Sequence, residues 1–118
     1  DRVAVKPHAG PVFHALQYLA GKQTLEKMQN FRGLGGVQSY PSRTKDTADV
    51  DFSTGSVGLG VAITAFASLV QDYVRARGWG TGPEGRMVAL VGDAELDEGN
   101  IYECLQEGWK HGLRNCWW

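Results

Sequence analysis

At 118 residues, with 12 basic against 13 acidic side chains and a formal net charge of −1, the chain has the length of one domain with a hydrophobic core. It has neither the polycationic face of a nucleic-acid binder nor an acidic tail. The longest nearly apolar stretch, 57–70, is too short and too rich in Gly, Ala, Ser and Thr to span a bilayer, so no membrane contact and a reducing, cytoplasmic location are expected.

Pro11 sits where a first helical turn tolerates proline, and Val12, Leu16 and Leu19 recur at helical spacing until Gly21, which predicts a short amphipathic helix. Thr24 suits the cap of a second helix whose Leu25, Met28 and Phe31 share one face before Gly33, Gly35 and Gly36 break it. From 37 to 51 neither period is present, and Pro41 with the charged run 43–51 predicts a long loop, the kind that is often functional. Leu59, Ile63, Phe66, Val70 and Tyr73 then line one face of a long helix, whose Ala62, Ala65 and Ala67 permit close packing on other faces. The continuous apolar run 87–91 has the pattern of a strand covered on both faces in a parallel sheet. Gly92-Asp93 closes it, and a further helix is expected to start near Asp97 or Glu98, with Ile101, Leu105 and Gly108 on one face. Residues 115–118 read as the next strand, just beginning. With no initiator Met before Asp1 and this strand at the other end, the chain is expected to be an incomplete α/β domain, 1–118, truncated at both ends. Cys104 and Cys116 form no CxxC pair and have no His at zinc-ligand spacing, and both read as buried small apolar side chains.

Strand, Gly-Asp turn, helix, strand is a crossover unit, and ligands of such sheets bind at the carboxyl ends of the strands. Asp93 lies at that point and is a candidate ligand for Mg²⁺, a hard ion that takes one or two protein oxygens and completes its octahedron from water and phosphate. Gly92, lacking a side chain, would let a diphosphate approach the backbone N–H groups. An isolated Gly-Asp is more often a plain turn, and its weight here depends on what accompanies it.

It is accompanied by Lys6-Pro7-His8-Ala9-Gly10-Pro11, Ser39-Tyr40-Pro41, Thr54-Gly55-Ser56-Val57-Gly58-Leu59-Gly60 and Gly92-Asp93-Ala94-Glu95-Leu96-Asp97-Glu98-Gly99. In that order these blocks resemble the cofactor-binding segments of the transketolase-like thiamine-diphosphate enzymes, and within them the homodimeric pyruvate dehydrogenase branch. The resemblance implies a parallel-sheet thiamine-diphosphate-binding domain with helices on both faces. It implies that Asp93 binds Mg²⁺ beside Gly92, with the backbone of Ala94 and Glu95 along the cofactor diphosphate. Ala94 stands where the family has a second Gly, and a requirement for positive φ there would weaken cofactor binding. The Asn that completes the family motif is expected roughly 30 residues on, beyond Trp118.

By the same resemblance His8 is the family's active-site histidine, a diphosphate donor or proton carrier, although a His between Pro7 and Ala9 otherwise reads as a surface residue. His14 and His111 fall on no motif and read as surface residues on helices. Ser56, Val57 and Gly58 resemble the segment under the aminopyrimidine, with the Val57 carbonyl accepting from its 4′-amino group. Glycines 55, 58 and 60 serve equally well for tight helix packing. Tyr40 stands where sugar-phosphate transketolases have His, which favours pyruvate or another small 2-oxoacid as substrate over two-carbon transfer between sugar phosphates; a loop aromatic exposed to solvent is the plain alternative. Glu98 resembles a carboxylate at the family's subunit contact and reads equally as a helix N-terminal acid.

The implied activity is oxidative decarboxylation of pyruvate with acetyl transfer to a lipoyl group of a partner acyltransferase, in a homodimer. The pyrimidine-activating glutamate comes, in that family, from another domain, so these residues alone are expected to be inactive. A nucleotide-binding or purely structural α/β module is the reading of another class, with no Gly-x-Gly-x-x-Gly after the one clear strand to support a dinucleotide site.

Overall fold

Three short parallel strands in the order β1-β2-β3 organise the computed structural model, which describes residues 1–46 and 49–118. β1 (Arg2–Val5) was not foreseen in the sequence; it pairs with β2 (Met87–Leu90) from Arg2 opposite Met87 to Val5 opposite Leu90. On the other side β2 pairs with β3 (Cys116–Trp117), the strand expected at 115–118. β2 is therefore central, as an apolar run without alternation requires.

The helices follow the expected punctuation. A 3₁₀ turn (Pro7–Ala9) leads into α1 (Gly10–Leu19), with proline in its first turn. Thr24 caps α2 (Leu25–Gln29) by accepting from the Lys27 N–H at 3.3 Å. α2 ends before the glycine cluster, so Phe31 lies past it, half-buried, and Leu25 is exposed. The expected long loop holds no helix or strand among its described residues; Thr47 and Ala48 lie outside them. α3 (Leu59–Ala76) and α4 (Gly99–Lys110) complete the set, a 3₁₀ turn (Ala94–Asp97) separating β2 from α4.

α3 buries its small face, not its bulky one. Val61, Ala62 and Ala65 join Ala89, Ile101 and Cys104 in the core, while Leu59, Ile63, Phe66, Val70 and Tyr73 are exposed. Small side chains let the helix backbone approach the sheet: a methyl on Gly60 would lie 3.6 Å from the Ala4 Cβ, in ordinary contact. Thr64 is buried at no cost in unsatisfied groups, because its hydroxyl is 2.8 Å from the Val61 carbonyl and 3.0 Å from that of Gly60.

The second face of the sheet is less covered than the apolar run suggested. Met87 and Ala89 are buried, but Val88 is half-buried and Leu90 exposed. Val3, Val5 and Leu90 line an open cleft of about 640 Å³ with Val12, Phe13 and Leu16 of α1. This reverses the expected polarity of α1: the apolar stripe Val12, Leu16 and Leu19 is exposed, and His14 and Gln17 are the side chains buried. His14 is thus not the surface residue expected; it is 1 % exposed. His111 is exposed, at the C-cap of α4, its Nε2 3.3 Å from Glu107.

Both cysteines are free; Cys104 is buried as expected and Cys116 half-buried. Burial pushes both thiols above their ordinary value of 9.0, with Glu103 next in raising Cys104. A thiol raised in the fold keeps its proton while the unfolded thiol loses it, so this stabilisation is complete below the unfolded value and is lost as pH rises through the folded one. Alkylation of Cys104 by iodoacetamide at pH 8 is expected to be at least about tenfold slower in the native protein than in urea, as followed by mass spectrometry. Equal rates would mean the site opens freely. No helix among the described residues is long and apolar enough to cross a membrane.

Candidate functional site

The four sequence blocks, spread over nearly 100 positions, meet at the carboxyl end of the sheet and close on one another as a ring. The 6–11 block follows β1, and the Lys6 N–H continues the ladder to the Leu90 carbonyl at 3.1 Å. Gly10 lies so close to the 39–41 block that a Cβ would stand 2.6 Å from the Ser39 carbonyl oxygen. The 39–41 block in turn meets 54–60: the Thr54 N–H bonds the Pro41 carbonyl at 3.0 Å, and the Tyr40 ring packs on Gly55. Tyr40 remains 41 % exposed, so one side of its ring is held while the rest is free.

The join between 54–60 and 92–99 is made by a side chain. Glu95, 6 % exposed, accepts from the Gly58 N–H at 2.7 Å through Oε1 and from the Gly92 N–H at 3.0 Å through Oε2. From sequence Glu95 contributes only backbone; its carboxylate is the bridge between the two segments, and a buried acid with two amide donors is well satisfied. Gly58 has φ +84°, and a Cβ there would meet the Asn100 side chain at 2.4 Å and the Glu98 Cβ at 3.0 Å. Glycine is required at this point, both by its backbone conformation and by the contact with the start of α4. Ser56 is exposed and Val57 half-buried. In this turn the Leu59 and Ala62 N–H groups bond the Ser56 and Gly58 carbonyls at 3.2 and 3.4 Å, and no bond reaches the Val57 carbonyl among the described residues.

The ring closes where Gly92 meets Lys6, whose Nζ and Cδ would be 2.9 and 3.2 Å from a Cβ on Gly92. The reason for glycine at 92 therefore differs from the one expected. Its N–H is engaged by Glu95, and the space left by its missing side chain is filled by lysine. Asp93 follows, exposed, in helical conformation and with no side-chain cap bond. Ala94 opens the 3₁₀ turn, and positive φ outside glycine occurs only at Arg32 among the described residues. The missing second glycine is thus no obstacle to this backbone. His8 is exposed on the 3₁₀ turn after β1. Glu98 is the N-cap residue of α4 without a side-chain cap bond.

Chemically, the ring's segments present an imidazole (His8), a phenol (Tyr40) and the exposed carboxylates of Asp93, Asp97 and Glu98 above backbone held by glycines, Asp93 being the one nearest the end of β2. Among the described residues no three His, Cys, Asp or Glu side chains form a metal cage. A single exposed carboxylate at a strand end suits an ion that draws its other ligands from phosphate and water.

No family model matches the chain. Several curated proteins do, under one name. It is 33 % identical over 101 residues to the pyruvate dehydrogenase E1 component of Haemophilus influenzae, covering 83 % of this chain and 11 % of that protein. It is 31 % identical, with the same coverage, to that of Escherichia coli K12. With that of Mycobacterium tuberculosis it shares 29 % identity across 98 % of this chain and 13 % of that protein. The chain thus spans only about an eighth of the length of these relatives or less. By sequence the chain is a homologue of the pyruvate dehydrogenase E1 components, matched over most of its own residues and a small part of theirs.

Proposed function

We propose that these residues form part of a thiamine-diphosphate-dependent enzyme acting on pyruvate or another small 2-oxoacid, the part that grips the cofactor's diphosphate through Mg²⁺. In this reading 1–118 is an incomplete cofactor-binding domain, inert alone, and the second metal ligand and the pyrimidine-activating carboxylate lie elsewhere in the enzyme. The observation that carries it is the closed ring: four segments distant in sequence are interlocked at the carboxyl end of a parallel sheet, where such sheets bind ligands.

The residues present fit the group. Asp93 offers Mg²⁺ a hard oxygen with no competing cap bond. The backbone at Ala94 and Glu95 would lie beside it to receive the diphosphate, while the Gly92 N–H is held by Glu95 and so serves to fix this segment. Ser56, Val57 and Gly58 would hold the aminopyrimidine, the Val57 carbonyl being free among the described residues to accept from its amino group. His8 donates to the diphosphate or carries a proton at its exposed imidazole, and Tyr40, steadied by Gly55, faces the substrate. When bound, the cofactor supplies a nucleophilic carbon and an electron sink for loss of CO₂, and the chain's own work is to bind, orient and exclude water. The whole enzyme, in the same reading, is a cytoplasmic homodimer that passes its acetyl group to a lipoyl acyltransferase.

In the complete enzyme, Asp93→Ala is expected to weaken Mg²⁺-dependent binding of thiamine diphosphate by about 100-fold, a loss typical of metal-site damage. Titration of tryptophan fluorescence measures it. Unchanged affinity would remove the metal assignment and with it this function.

A further inference from the structure

Resting on that reading, we infer that Lys6 is an anion-binding residue of the site, its ammonium placed to take an oxygen of the cofactor's diphosphate. Lys6 follows the last residue of β1, and its N–H extends the ladder to Leu90, so its backbone is fixed at the carboxyl end of the sheet. From there its side chain crosses to the neighbouring strand and lies on Gly92, with Cδ, Cε and Nζ 3.2, 3.6 and 2.9 Å from where a Cβ would be. Any larger residue at 92 would displace it. The cation is thereby held one residue from Asp93, yet among the described residues no carboxylate forms an ion pair with it. Lys6 is half-buried as a residue, and a cation held there without an acidic partner is available to an arriving anion.

The shared chemistry is that of an oxyanion, and two are at hand in the proposed reaction: the diphosphate of the cofactor and the carboxylate of the substrate. The contact with Gly92 favours the diphosphate, because Asp93 next to it is the residue that would hold the metal in the proposed reading. Mg²⁺ on Asp93 and an ammonium on Gly92 would share the charge of one diphosphate between them, as metal and lysine do in other phosphate sites.

The test uses the complete enzyme with Lys6→Met, which keeps an unbranched stem over Gly92 and removes only the charge, and Lys6→Arg, which keeps the charge. Affinities for Mg²⁺-pyrophosphate and for thiamine diphosphate with Mg²⁺ are measured by calorimetry at two salt concentrations, beside the KM for the 2-oxoacid. Lys6→Met is expected to weaken both diphosphates about tenfold, one charge-assisted contact, and to flatten the salt dependence, with Lys6→Arg restoring most of the loss. Unchanged affinity for both diphosphates overturns the assignment. So does a raised KM for the 2-oxoacid alone, which would place the ammonium on the substrate carboxylate. If the unmodified enzyme binds no thiamine diphosphate, it is the proposed function that fails; the inference is judged only on the difference between Lys6 and its variants.

Discussion

Glu95→Ala is expected to destabilise the native chain by about 2–6 kcal/mol, because two buried backbone N–H groups lose their acceptor at once and each such loss costs roughly 1–3 kcal/mol. Gly58 and Gly92 both donate to this one carboxylate, at 2.7 and 3.0 Å, and the Gly58 backbone is pinned at φ +84° by the turn into α3. It has little room to rotate toward another partner, because Asn100 and Glu98 stand where a side chain at 58 would be. Glu95→Gln is expected to lie between, since its carbonyl can serve one N–H while its NH₂ faces the other donor. Urea unfolding gives the stability, and cofactor titration of the complete enzyme gives the functional arm. Loss of the bridge frees 54–60 from 92–99, so affinity for thiamine diphosphate should fall further than affinity for Mg²⁺-pyrophosphate, which engages 92–99 and the 6–11 block but not 54–60. A midpoint unchanged in Glu95→Ala would mean that water replaces the carboxylate and that the bridge is not structural.

The bridge shows where sequence reading stops. Helix and strand positions were legible because each depends on local chemistry: Thr24 caps α2, proline stands in the first turn of α1, and an apolar run without alternation became the central strand β2. The site blocks were legible as motifs, and the structure adds why their glycines are there: Gly10 admits the Ser39 carbonyl, Gly55 the Tyr40 ring, Gly58 the start of α4 and Gly92 the Lys6 side chain. What lies across space was not legible. Periodicity shows that α3 has a bulky and a small face, but only the approach of Ala4 and Ala89 decides that the small one is buried. β1 escaped because four residues, Arg-Val-Ala-Val, carry too short a pattern to separate from a loop, and its pairing partner is some 85 positions away. Glu95 is placed at the cofactor from sequence only through its backbone, and Lys6 only as the first residue of a block, since nothing local tells a side chain that meets backbone amides or a glycine from one that meets water.

His14 is the clearest case, and it carries the second large effect. Its side chain sits between Phe13 and Phe31, ring centroids 5.8 and 6.5 Å away and edge-on to both, and its Nε2–H donates to the Gln38 carbonyl at 2.9 Å. Three residues on, Gln17 donates to the Asp49 carbonyl at 2.7 Å, so the buried polar side of α1 clasps both ends of the loop that carries Tyr40. Both polar side chains that the helix turns inward thus donate to carbonyls of this loop. His14→Ala removes a ring-sized volume and one buried bond, for an expected cost of about 3–5 kcal/mol. His14→Phe refills the volume but leaves the Gln38 carbonyl without its donor, for about 1–3 kcal/mol. His14→Gln, whose amide nitrogen can reach the same carbonyl, should restore the bond without the ring packing. Urea unfolding ranks the three, and limited proteolysis within 42–46 reports the loop, which should be cut faster in the Ala and Phe variants than in Gln. If Phe is as stable and as protease-resistant as His, aromatic volume alone holds the loop. The hydrogen bond to Gln38 then contributes nothing to placing Tyr40.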